Sequence, residues 1–217
     1  MGSSARAFVR RHTRLQPVPG LANIRLHLAD EVLPLWRQTQ LATGATEPPL
    51  PYWAFAWAGG LALSRYLADE PARVAGRRVF DLGSGSGVCA IAAMRSGAAQ
   101  VTAADIDPFA VAAIELNARA NGVRVGVVGH DVLADEPPPV DVVLAGDCWY
   151  EAGLAARVMP WLRHAAERGA LVLLGDPRRR YLPAEALLPL ATYAVRTTTE
   201  LEDMDQKQAT VFTLAAG

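Results

Sequence analysis

From residue 77 to the C-terminus, short apolar runs alternate with longer segments whose apolar residues recur at helical spacing. The pattern predicts strands over 77–83, 100–106, 123–128, 140–146 and 170–176, with helices over 87–97, 108–122 and 152–169. Pro108 suits a first helical position, and Gly97 and Asn121-Gly122 suit helix ends. Pro160 predicts a kink or break in the last of these helices. A short helix is expected over 183–191, then two closing strands over 192–200 and 208–216. The polar segment 201–207 between them suits an antiparallel hairpin. Regular strand–helix alternation argues an α/β domain built on a largely parallel sheet.

Upstream the pattern is weaker. Residues 1–20 read as a flexible arm, and 21–47 as an ambiguous strand or short helix. Pro48, Pro49 and Pro51 exclude a regular helix where they stand, whereas Leu61, Leu63, Tyr66 and Leu67 predict one over 60–70. The expected organisation is an N-terminal arm or extension over 1–47 and one domain over 48–217.

At 217 residues and 51% hydrophobic content, the chain can bury one sizeable core. A net charge of −1 provides no broad basic field, which makes nucleic acid a poor partner. Cys89 and Cys148 form no CxxC pattern, which fits a reducing, cytoplasmic setting. No apolar run is long enough to span a membrane, and no membrane partner is expected. Five arginines and no acid precede Asp30, a composition faintly like an organelle transit peptide. In a eukaryote that would mean the mitochondrial matrix; the plainer reading is a solvated arm. His12, His27, His130 and His164 show no ligand spacing, so no metal is expected.

Candidate chemistry begins at VFDLGSGSG, residues 79–87, where Gly83, Gly85 and Gly87 stand between a strand and a helix. Glycine lets the backbone turn sharply and lets a ligand approach the main chain. The form is GxGxG, not the GxGxxG of a dinucleotide loop, and Asp81 precedes it. An acid there opposes a pyrophosphate but suits a ligand carrying an amino group, such as S-adenosylmethionine. Asp105, at the next strand end, can accept from two ribose hydroxyls. Asp131, after the strand that follows, can accept from an adenine amino group or can simply cap a turn. The fourth strand end carries Asp147-Cys148-Trp149-Tyr150. Asp147 could orient an incoming ammonium, with Trp149 and Tyr150 as a cation–π wall. The bland alternatives are a helix cap for Asp147 and core packing for Trp149 and Tyr150. Cys89 and Cys148 read as buried filler. The arginines of 177–181 read as a solvated loop or a contact for an acidic partner.

These motifs resemble the class I S-adenosylmethionine-dependent methyltransferases from about residue 50 to the end. PYWAFAWAGGLALSRYL, DLGSGSG, AADIDP, AGDCWYE and LLGDP resemble methyltransferase family 16, most nearly the electron transfer flavoprotein β-subunit lysine methyltransferases. The resemblance implies a Rossmann-like seven-stranded sheet, S-adenosylmethionine as cofactor and a protein lysine as methyl acceptor. It implies that Asp81, Gly83, Gly85 and Gly87 hold the methionine side. Asp105 would bind the ribose, Ile106 would pack on the adenine, Asp131 would bind the adenine amino group, and Trp57 would line the pocket. Asp147 and Tyr150 would border the acceptor channel, with Trp149 as a substrate contact. Ala58 stands where the family commonly has proline, which leaves the bend after Trp57 less rigid. The rival readings are a nicotinamide-type small-molecule N-methyltransferase, a non-catalytic nucleotide-binding module and an NAD enzyme.

Overall fold

The computed structural model describes residues 2–196 and 206–215. Its centre is a seven-stranded sheet formed by β3 (Arg78–Leu82), β4 (Gln100–Ala104), β5 (Gly126–Val128), β6 (Val142–Gly146), β7 (Leu171–Asp176), β8 (Leu187–Arg196) and β9 (Gln206–Leu214). The order is β5-β4-β3-β6-β7-β9-β8. Pairing is parallel from β5 through β7, while β9 runs antiparallel to both β7 and β8. The central strands are apolar on both faces because helices cover both; Val142, Val143, Leu144 and Ala145 are all fully buried. α3 (Ala58–Asp69) and α4 (Val88–Arg95) pack in one buried cluster with Val79 and Leu144. α6 (Ala152–Glu167) supplies Val158, Trp161 and Leu162 to the opposite cluster with Phe80 and Leu174. Pro160 lies within α6, which continues through it as one helix.

The chain winds outward from β3 in both directions, so β3 and β6 flank the point where strand order reverses. In open α/β sheets, ligands bind outside the carboxyl ends of the strands at such a point. The loops after β3, β4 and β6 therefore share one edge.

Two expectations are corrected. Residues 1–20 contain α1 (Gly2–His12) and β1 (Arg14–Val18), and β1 pairs antiparallel with β2 (Leu21–Leu28). α1 is held on α5 (Pro108–Ala120) by the Phe8–Phe109 ring contact at 4.6 Å and the Arg6–Glu115 ion pair at 2.7 Å. Val9 is fully buried there, so the arm has an apolar face that its arginines mask in composition. Residues 21–47 resolve as β2 followed by α2 (Val32–Thr43). The helix expected over 183–191 is a single 3₁₀ turn, Ala184–Ala186, and the start of β8. Pro189 is tolerated in β8 because that strand is at the sheet edge and its register shifts between Pro189 and Ala191. The expected hairpin pairs as β8 and β9, while 197–205 of its connection lie outside the described residues.

Candidate active site

A cleft of about 830 Å³ opens at this sheet edge, within the range of small-molecule sites. It is lined by the glycine loop, the loops after β4 and β6, and the aromatic segment before α3.

The glycine loop follows β3 directly. Gly83, Gly85 and Gly87 have φ of 62°, 53° and 82°, so all three occupy the left-handed region that side chains resist. Asp81 lies beneath this loop, 1% exposed, and accepts from Ser84 Oγ at 2.5 Å and from the Ala90 N–H at 3.1 Å. Burial pushes its carboxyl up to about 7, against those two hydrogen bonds, and the nearby Asp105 adds to the rise. Asp105 accepts from the Gly85 N–H at 2.8 Å and the Asp107 N–H at 3.0 Å, which ties the loop to the end of β4. Burial raises its pKa as well, opposed by these backbone donors. Asn117, fully buried on α5, donates to the Ser86 carbonyl and accepts from the His27 N–H of β2. The N-terminal hairpin is thereby linked to the back of the loop. Ile106 is 70% exposed although apolar, and it lines the cleft. Asp131 lines the cleft too; it caps a 3₁₀ turn through the Leu133 N–H and pairs with Arg157 at 2.6 Å. Gly87 does not line the cleft, because it packs against Ile114.

The other half of the cleft is built around α3. Its N-cap, Trp57, makes no side-chain cap, so the first-turn N–H groups need another partner. Asp147 provides it from across the sheet: its Oδ1 accepts from the Gly59 N–H at 3.0 Å and its Oδ2 from the Gly60 N–H at 2.6 Å. Asp147 takes φ 60° at the end of β6 to reach them. The approach is backbone to backbone: a Cβ on Gly59 would fall on the Gly175 carbonyl, and one on Gly146 would lie 3.1 Å from Gly60 Cα. Ala58 occupies the first helical position of α3, where a proline would also fit. Arg179 Nη1 donates to Asp147 Oδ1 and to Asp176 Oδ2, the latter at 3.1 Å. Asp176 is fully buried, which pushes its pKa up to about 6 against the Arg179 backbone and guanidinium donors.

Aromatic rings close this half. Trp57 Nε1 donates to the Tyr52 carbonyl, and the Tyr52 ring lies 5.6 Å from Trp57 and 5.0 Å from Tyr150. Tyr150 is 45% exposed at the rim, and burial of its hydroxyl pushes that group up to about 12. Trp149 is corrected. It is fully buried in the cluster of Phe80, Leu162 and Leu174 and does not line the cleft. Asp147 and Tyr150 face the cleft while Trp149, between them, turns to the core beneath. Cys148 is buried under the loop with its Sγ toward the Leu82 carbonyl, and burial raises its pKa.

The cleft thus brings together Trp57, Asp81, Gly83, Gly85, Asp105, Ile106, Asp131, Asp147 and Tyr150. It also contains Tyr52 and Arg179, with Asp176 behind Arg179, none of which sequence reasoning assigned to the site. Their only sequence signals are the proline string before Tyr52 and the LLGDP motif, which contains Asp176 and ends immediately before Arg178. Among the described residues no His, Cys, Asp and Glu cluster could hold a metal, and no helix is long and apolar enough to cross a membrane.

Fold and cleft together define a class I S-adenosylmethionine-dependent methyltransferase. A methyltransferase from Thiobacillus denitrificans, solved in complex with S-adenosyl-L-homocysteine, has the same fold at a TM-score of 0.54 and 18% identity, covering 83% of this chain and 98% of that one. The family model described as ribosomal protein L11 methyltransferase (PrmA) matches residues 64–146. The electron transfer flavoprotein beta subunit lysine methyltransferase of Xenopus laevis is 37% identical over 95% of this chain and 85% of its own length. Its counterpart from Mus musculus is 42% identical over 70% of this chain, an alignment that spans 62% of the mouse protein. The chain belongs to the electron transfer flavoprotein beta subunit lysine methyltransferase family.

Proposed function

We propose that this protein transfers methyl groups from S-adenosylmethionine to a lysine side chain of the electron transfer flavoprotein β-subunit. The observation that carries the reading is the placement of Asp147 and an aromatic wall on the same cleft as the glycine loop. The relatives' names supply the acceptor protein.

The residues fit the cofactor. Gly83 and Gly85, both left-handed, leave the loop backbone open to a ligand in the cleft, and Ile106 offers an apolar face where an adenine would rest. Asp105 has acceptor capacity beyond its two backbone donors, enough for ribose hydroxyls. When bound, S-adenosylmethionine supplies an activated sulfonium methyl, so the protein's task is positioning and desolvation.

Lysine reaches the cleft protonated, with an ordinary pKa of about 10.4. Asp147 keeps one acceptor direction on Oδ2 beyond the Gly60 N–H, and that oxygen can orient the ammonium. Trp57, Tyr52 and Tyr150 line the cleft as a ring cluster that can wall the cation, a contact worth about 0.5–2 kcal/mol. Tyr150 stays a neutral phenol at physiological pH. The proton leaves to solvent through the open cleft before the amine attacks.

The test is incubation with labelled S-adenosylmethionine and, in separate reactions, nicotinamide and a panel of recombinant proteins that includes the flavoprotein, followed by mass mapping. Label on a β-subunit lysine is the expected result. Label on nicotinamide with none on protein would replace this reading with the small-molecule one.

A further inference from the structure

The acceptor side of the cleft already holds a cation. Arg179 bridges Asp147 and Asp176, and its guanidinium carbon lies 6.0 Å from the centre of the Trp57 ring. The side chains of Arg179, Asp147 and Asp176 keep 19%, 11% and 0% of their exposure. Carboxylates and an aromatic face are the groups that recognise an alkylammonium. Here both engage a guanidinium. Among the described residues the charges do not balance, since two carboxylates face one guanidinium and the partial positive end of α3. A second cation would complete the set.

The backbone is arranged for this contact. Asp147 and Arg178, with φ of 60° and 67°, are the non-glycine residues of positive φ among the described residues. One carries the carboxylate, and the other turns the chain immediately before Arg179. Such conformations are costly for residues other than glycine and persist where the surroundings over-determine them. The flanking arginines take other partners: Arg178 lies over the Phe212 ring and Arg180 over the Tyr181 ring.

We propose that Arg179 is a resident cation in the acceptor's seat, which bridges Asp147 and Asp176 until the acceptor ammonium takes over the Asp147 contact and leaves Arg179 on Asp176. The proposal rests on the reading that the Asp147 side of the cleft receives the amine. After the exchange each carboxylate has its own cation, so neither buried charge is left unpaired. The cost of displacing Arg179 makes it a specificity-determining residue. An amine delivered by a docked protein can meet that cost through contacts elsewhere, whereas a free small amine meets it only by binding more weakly.

The test uses n-butylammonium as probe, measured by titration calorimetry on the full chain at saturating S-adenosylhomocysteine. Arg179→Met removes the competing cation and keeps side-chain volume. We expect it to bind the probe about tenfold more tightly than the unaltered protein, the factor for one lost competing charge contact. A persisting S-adenosylhomocysteine-dependent rise in Tm verifies that the variant's cleft is folded. Should Arg179→Met fail to fold, Arg179→Lys keeps a cation with a weaker, single-point contact, and tightening by a smaller factor is expected there. Equal or weaker binding in the folded variant overturns the proposal, because a brace that merely shapes the cleft loosens it when removed. Binding to neither protein would refute the amine seat itself, and the proposal with it; binding to both without tightening refutes only the role of Arg179.

Discussion

The two halves of the cleft use the same materials, glycine and aspartate, to opposite ends. In the glycine-loop half the glycines take the left-handed conformations, and two acids hold the loop from beneath: Asp105 accepts from the Gly85 N–H, and Asp81 accepts from the Ser84 hydroxyl and the Ala90 N–H of α4. In the α3 half the aspartate itself takes the left-handed conformation. There Gly59, Gly60, Gly146 and Gly175 serve close approach, letting α3 sit directly on the sheet edge. The acids differ accordingly. Asp81 borders the cleft only from beneath its loop, almost fully buried, and holds its proton unusually tightly, whereas Asp147 faces the cleft with two helix N–H donors and a guanidinium. A carboxylate that shapes a loop and one that can meet a ligand thus differ in what they face, not in residue type.

The sharpest way to break this comparison is Asp147→Asn. The amide keeps one oxygen for the α3 N–H groups but loses the charge that would orient an ammonium. Turnover should fall by about 10²–10⁴, the range for a positioned proton-handling group, while the S-adenosylhomocysteine-dependent rise in Tm persists. Near-normal methylation of the flavoprotein by this variant would make the α3 half purely structural.

The difference between the halves also explains what could be read before the structure. The glycine loop and its acids were legible because their logic is local: Asp81 meets Ser84 and Ala90, three and nine residues on. The acceptor half was legible only as an unusual strand end. Asp147 reaches Gly59 and Gly60 across 88 and 87 residues and Arg179 across 32, and no periodicity encodes such contacts. The three arginines at 178–180 look alike in sequence, yet Arg179 alone of them lines the cleft. The N-terminal helix was hidden by its arginines, although Ala5 and Val9 mark the face it buries. Pro183–Ala186 resembled a helix start, and the strand that follows is decided by pairing with β9, a tertiary effect.

A smaller effect sharpens the contrast between a loop-shaping and a ligand-facing acid. The Asp81 carboxyl titrates near 3.8 ordinarily and about 7 in the fold. Its folded pKa is raised, so its contribution to stability is fully present below about 3.8 and is lost as pH rises through about 7. Asp81→Asn removes that term. Between about pH 5 and about pH 8 the Tm of the variant should fall by several degrees less than that of the unaltered protein. Part of the slope below neutrality persists in both, because Asp176 is also raised, to about 6. Equal slopes would mean that Asp81 is solvated and reaches the cleft as a carboxylate.

The smallest expected effect on activity comes from Trp149, which stands between two cleft residues yet belongs to neither half. Its indole is fully buried, and Nε1 has no hydrogen-bond partner among the described residues. Trp149→Phe leaves a gap in the core but also removes a buried donor with no partner, and the two changes oppose each other. The net cost should be about 1–2 kcal/mol, seen as a Tm lower by a few degrees. Turnover and the KM for the protein acceptor should stay within about twofold, because no atom of this side chain borders the acceptor path. A tenfold rise in KM with an unchanged Tm would be the opposite signature. It would mean that the ring leaves the core to meet the acceptor, and that the wall of the cleft includes the residue which the closed fold keeps behind it.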